Sequence, residues 1–220
     1  MIKGLIFDYG GTLDTRGDHW AHIIRRAYDD EAVTLPEQAF RDAYVHAERT
    51  LARERHILPE HNFLDLMERK IAIEMQWLVS EGFVAEAVAA DKAPKIARRC
   101  YDFAHMCVGE AKPVLDVLAK HFPMVLVSNF YGNVESVLRD FGLDCYFGHI
   151  VESAVVGVRK PDPAIFGLGV EALGLKPEEV LVIGDSYRKD ILPARSLGCQ
   201  TAWIKGRGWT ADEDAQTDPC

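Results

Sequence analysis

Apolar runs of strand length occur at residues 4–8, 123–129, 180–184 and 200–204, with a weaker one near 147–151, and the later ones are separated by segments of helical periodicity. Those helical patterns run from Gly132 to Phe141, Pro163 to Leu173 and Tyr187 to Leu197. Strands that alternate with helices of this length call for crossover connections, because a parallel neighbour can be reached only by returning the chain to the same end of the sheet. The expectation is an α/β fold with a parallel sheet covered by helices on both faces. In such a sheet, ligand-binding groups collect at the carboxyl ends of the strands.

Residues 15–108 break the alternation. Trp20 to Tyr28, Pro36 to Arg53, Asn62 to Ser80 and Phe83 to Cys107 all read as helices, split by Pro59 and Gly82. An all-helical block of this kind between a first strand and the rest of an α/β domain reads as an insertion. The expected division is a core of residues 1–14 and 109–220 and an inserted domain of residues 15–108.

Composition limits the function. With 48% hydrophobic residues the chain can fill a real core. A net charge of -9 argues against a nucleic-acid partner, which needs clustered Lys and Arg to displace counterions. No run approaches the roughly eighteen apolar residues of a membrane span, and Met1-Ile2-Lys3-Gly4 leads straight into a strand, so no membrane association and a cytoplasmic protein are expected. Cys100, Cys107, Cys145, Cys199 and Cys220 are scattered without zinc-site spacing and read as reduced thiols. The arginines of the helical block (Arg25, Arg26, Arg41, Arg49, Arg53, Arg55) and its histidines (His19, His22, His46, His56, His61) read mostly as surface residues. The acidic stretch from Ala211 to Pro219 reads as a solvated terminus. Sequence leaves oligomeric state open.

Four short segments stand at the ends of the apolar runs or just before a helix: Phe7-Asp8-Tyr9-Gly10-Gly11-Thr12-Leu13, Val125-Leu126-Val127-Ser128-Asn129, Lys160-Pro161-Asp162-Pro163, and Val182-Ile183-Gly184-Asp185-Ser186 followed by Asp190. In this order they resemble the four motifs of the haloacid dehalogenase (HAD) superfamily hydrolases, and together they span nearly the whole chain. The resemblance implies a Rossmann-like core and identifies the helical block as a cap over the catalytic face. It implies a nucleophile at Asp8, and Mg²⁺ held by the Asp8 and Asp185 carboxylates and the Gly10 carbonyl. Lys160 fits the charge-stabilising cation, Ser128 and Asn129 fit the phosphate-binding group, Thr12 fits the residue holding the first loop, and Asp190 fits a group that orients Lys160 or metal-bound water. The implied partner is a small phosphorylated substrate.

One position departs from the family's phosphatases. They carry an acid/base aspartate two residues after the nucleophile, and here that residue is Gly10. The lost group protonates the departing alkoxide, a contribution typically of about a hundredfold to ten-thousandfold. Asp14 is a nearby carboxylate whose direction sequence does not give. Three functions follow: a phosphatase that is weakened or restricted to good leaving groups; a phosphonatase-like or dehalogenase-like hydrolase, since those members also lack the second aspartate; or a degenerate regulatory protein that binds phosphate and metal. Retention of Asp185 argues against dehalogenation, which needs no metal. Phosphonate cleavage would use a cap lysine, with Lys70, Lys92 and Lys95 as candidates.

Overall fold

The computed structural model describes residues 1–218; Pro219, at the end of the acidic stretch, and Cys220 lie outside the described residues. Five parallel strands, β1 (Gly4–Phe7), β2 (Met124–Ser128), β3 (His149–Glu152), β4 (Val180–Gly184) and β5 (Gln200–Trp203), form one sheet in the order β3-β2-β1-β4-β5. Register is fixed by two-sided burial. Leu5 and Phe7 face one layer with Met124, Leu126 and Ile183, while Ile6 faces the other with Val125, Val127 and Val182. A slip of one residue would exchange the two sets and mismatch both layers.

Helices α1 (Trp20–Asp30), α2 (Glu37–Arg53), α3 (Phe63–Ser80) and α4 (Glu86–Leu118) occupy the chain between β1 and β2. Helix α3 starts at a capping box in which Asn62 and Asp65 satisfy each other's backbone N–H groups. Helix α4 does not end at Cys107 as the sequence suggests. Its buried face continues through Val108 to Leu115, across Gly109 and Pro113, so one helix runs from the inserted block to the face of the sheet. There it joins α5 (Val134–Asp140), which contributes Val134, Val137 and Leu138 to that layer. The opposite layer is covered by α7 (Ala164–Leu173), which follows the single-turn α6 (Ser153–Val156), and by α8 (Leu192–Ser196).

Two local readings are corrected. The helix expected over 187–197 is a π-helical turn at Tyr187–Ile191 followed by α8, because Asp190 is drawn inward. The acidic stretch is more than a solvated terminus: it contains the short helix α9 (Ala211–Ala215), and Asp218 pairs with Arg195 at 2.6 Å. Just before α9, the chain crosses the loop after β1 at two glycines. A Cβ on Gly206 would lie 2.3 Å from the Gly17 carbonyl carbon. The crossing lets His19 N–H donate to Arg207 O and Arg207 N–H donate to Asp18 Oδ1. No helix among the described residues is long and apolar enough to cross a membrane.

Candidate active site

The strand order puts β1 between β2 and β4, so chain leaving β1 crosses to β2 on one side and later returns to β4 on the other. Asp8, Ser128 and Asp185, each at the exit of one of these strands, are thereby gathered at one edge of the sheet, the switch point where α/β folds bind ligands. Lys160 enters from the loop between β3 and α7. Its Nζ lies 2.6 Å from Asp8 Oδ1 and 2.6 Å from Asp190 Oδ1, with all three residues buried. Asp190 Oδ2 accepts from Ser186 N–H at 2.9 Å, which fixes the carboxylate.

Asp185, the third carboxylate, is placed by Trp203, whose indole N–H donates to Asp185 O at 2.7 Å. Thr12 Oγ1 lies 3.1 Å from Asp8 Oδ2 and 3.2 Å from Asp185 Oδ1, and its single proton serves one of them at a time. Gly11 has φ +97°, and a Cβ there would sit 2.4 Å from Asp185 Oδ2, so both backbone conformation and space require glycine. Gly10, Asp8, Asn129, Lys160, Asp185 and Asp190 all border a cavity of about 490 Å³ between the sheet edge and α2–α3. Ser128 and Thr12 are buried and do not border it.

Asn129 turns out to be occupied. Its side chain forms a two-point clamp on the Lys160 backbone, with Nδ2 donating to Lys160 O at 3.0 Å and Oδ1 accepting from Lys160 N–H at 2.9 Å. Asp14 is equally committed: it is fully buried and its oxygens accept from Gly11 N–H at 2.7 Å and Trp20 Nε1–H at 3.0 Å. Burial pushes its carboxyl up to about 7, the two donors opposing and the Asp8 charge adding to the rise. Asp14 therefore braces the loop after β1 and does not border the cavity.

Oxygens of Asp8, Asp185 and Asp190 all lie within 4.8 Å of one another, against a single ammonium. Burial raises Asp185 well above the ordinary carboxylate range, with the Asp8 and Asp190 charges adding to it; burial also raises Asp190, with Lys160 opposing. Burial would lower Lys160, but Asp190 and Asp8 outweigh it and keep the ammonium charged. The surplus of negative charge and the all-oxygen donor set fit a hard divalent cation such as Mg²⁺.

Sequence reading missed part of the cavity wall. His19, expected at the surface, packs against the rings of both Tyr44 (5.8 Å) and Trp209 (5.2 Å), which also touch each other, and burial pushes it down to about 3, with Lys189 and Lys70 contributing, so it is neutral. Trp209 also carries the Arg41 guanidinium 3.9 Å over its ring. The segment after β5 thus forms one side of the cavity.

The family model for haloacid dehalogenase-like hydrolases matches residues 2–198, and the chain belongs to that family. Among individual proteins, it is 47% identical over 73 residues to haloacid dehalogenase-like hydrolase domain-containing protein 3 of Danio rerio, a match that spans 33% of this chain and only 30% of that one. It is 29% identical over 172 residues to a glyceraldehyde 3-phosphate phosphatase of Methanopyrus kandleri, covering 70% and 73% of the two chains. Among solved structures, the HAD-hydrolase YfnB of Bacillus subtilis, bound to magnesium, superposes with a TM-score of 0.57 at 25% identity over 92% of this chain and 88% of that one.

Proposed function

We propose that this protein is a Mg²⁺-dependent phosphate monoester hydrolase acting on small phosphorylated molecules, with Asp8 as nucleophile. The observation that carries this reading is the charge arrangement: the single Lys160 ammonium is shared between Asp8 and Asp190, while Asp185 has no cation within ion-pair distance among the described residues. Asp8, Asp185 and the Gly10 carbonyl would hold the ion, which supplies the charge neutralisation that lets a carboxylate approach a phosphate. The phosphatase relative and the magnesium-bound structural neighbour support the same reading.

In the first step a carboxylate oxygen of Asp8 bonds to phosphorus and the bond to the ester oxygen breaks, so an alkoxide departs. Lys160 balances charge on the transferring group, and Ser128 with the backbone after β2 donates to its oxygens. Water then attacks the aspartyl phosphate, freeing phosphate and restoring Asp8. Gly10 supplies no proton to the alkoxide, and Asp14, which does not border the cavity, is not placed to stand in for it. Good leaving groups are therefore favoured. We assign α1–α3 and the outer part of α4 to a cap over this site and the sheet with its remaining helices to the core.

Phosphonate cleavage through a lysine imine fits the structure less well. Lys70 borders the cavity, but although burial would lower its amine, Glu48, Tyr131 and Glu74 together outweigh it and hold the amine protonated, and a protonated amine is not a nucleophile. Lys92 and Lys95 pair with Glu31 and Asp91 away from the cavity.

Turnover of p-nitrophenyl phosphate tests the function. Hydrolysis should require added Mg²⁺ and vanish in Asp8→Asn. Activity that survives either chelation or that substitution would overturn the assignment.

A further inference from the structure

The cavity wall facing the sheet edge holds an ion pair that the chemistry above does not use. Lys70 on α3 donates to Glu48 Oε1 on α2, and its Nζ lies 4.3 Å from the centre of the Tyr44 ring. Tyr131, three residues beyond Ser128, reaches Glu48 Oε1 at 3.2 Å and Oε2 at 3.1 Å with its hydroxyl. The Lys70 side chain is 4% exposed, and all four residues border the same cavity as Asp8. Much of the surrounding wall is apolar or aromatic, including Phe63, Leu66 and Met67.

Stability does not account for such a pair. Desolvating the buried Lys70 ammonium offsets much of its attraction to the half-buried Glu48, and apolar residues of similar volume commonly serve as well or better. Within the phosphatase reading, on which this inference rests, we propose that Glu48 and Lys70 recognise the leaving group and select phosphate esters of small neutral polyols or hydroxy-carbonyl compounds. An ammonium has three N–H donors, and among the described residues Lys70 uses one, on Glu48. Glu48 keeps carboxylate lone pairs free beside it. A hydroxyl is donor and acceptor at once, so it can give its proton to Glu48 and accept from Lys70 without breaking the pair or changing the net charge. A carboxylate in the leaving group would draw Lys70 away and leave Glu48 without its counter-ion beside the new anion. Tyr131 links the pair to the strand end that holds the transferring phosphate, which sets the distance between the two subsites.

The test compares glycerol 3-phosphate with n-propyl phosphate, which lacks the hydroxyls, in the parent, in Glu48→Gln and in Glu48→Met/Lys70→Met, with a melting curve for each. The parent should prefer glycerol 3-phosphate in kcat/KM by tenfold or more, and the preference should fall at least tenfold in the double variant. If the double variant does not fold, the same loss of preference in Glu48→Gln decides. Calorimetry with Mg²⁺ provides a readout independent of turnover: glycerol 3-phosphate should bind the parent more tightly than inorganic phosphate does, and the difference should vanish in the variants. Binding with that pattern but no hydrolysis would uphold this inference while overturning the phosphatase reading. A preference unchanged by the substitutions, or phosphoserine favoured over glycerol 3-phosphate by the parent, would overturn the inference itself.

Discussion

Gly10 lacks a positive φ, and a Cβ built on it meets no described atom within 4 Å. A side chain is therefore tolerated where the acid/base group is missing, in contrast to Gly11 next to it. Gly10→Asp should raise turnover of alkyl phosphates by roughly ten to a thousandfold, as expected for a restored proton donor. Steady-state rates paired with a melting curve check this: a well-folded variant with no gain on any ester would contradict the weakened-phosphatase reading. A second residue governs pH dependence of stability. Glu74 is fully buried in the helical block, Tyr28 Oη donates to its Oε2 at 3.1 Å, and its Oε1 has no partner. Burial pushes it up to about 7, with Lys70 and Tyr28 opposing. A carboxyl raised in the folded state contributes stability that is full below its unfolded pKa and is lost as pH rises through the folded value. Glu74 should thus cost the fold up to about 3 kcal/mol between pH 4.5 and 7. Urea titrations should show stability falling across that window in the parent and falling less in Glu74→Gln; equal slopes would contradict a protonated Glu74.

At the scale of elements, the segment after β5 is the clearest addition to what sequence shows. Trp209 is held by Arg41, Tyr44 and His19, Arg41 Nη2 donates to Trp209 O at 3.1 Å, and His22 Nε2 bonds Gly208 O at 2.7 Å. Trp209→Ala should lower stability by about 2 kcal/mol through lost aromatic and cation–π contact. It should also speed proteolytic cleavage between residues 205 and 218, and unchanged cleavage would show that the segment is held by other contacts. The strands were legible because β1, β2 and β4 are short apolar runs with a polar residue at the exit, and that pattern also exposed Asp8, Ser128 and Asp185. Lys160 was legible from its Lys-Pro-Asp-Pro context. Glu48 and Tyr131 were not, and Lys70 stood out only as one of three candidate cap lysines, because the three come from separate elements whose approach is set by packing. Lys70 sits four residues before Glu74 on α3, which in sequence looks like an ordinary solvated helix pair. Trp209, a large ring amid glycines and ahead of an acidic run, was the one available sign that the segment docks.

Across the whole molecule, one sheet edge collects three carboxylates and a lysine beneath a helical block that carries its own polar subsite. Two measurements follow from this layout. Calorimetric Mg²⁺ binding should be abolished or much weakened in Asp185→Ala, and binding as tight as in the parent would place the ion elsewhere. Without a donor at Gly10 the leaving group carries its full charge in the transition state, so acyl and aryl phosphates should react far faster than alkyl phosphates; equal rates would mean that another group protonates the alkoxide. The leaving-group dependence rests on Asp8 as the atom donor to phosphorus, and that is tested most directly by acid-quenching the enzyme during turnover of an acyl phosphate with Mg²⁺ and mapping the digest by mass spectrometry. Asp8 as nucleophile predicts one phosphoryl group on the peptide that contains Asp8, absent in Asp8→Asn. Turnover with no adduct on that peptide, or with the phosphoryl group on another residue, would contradict it.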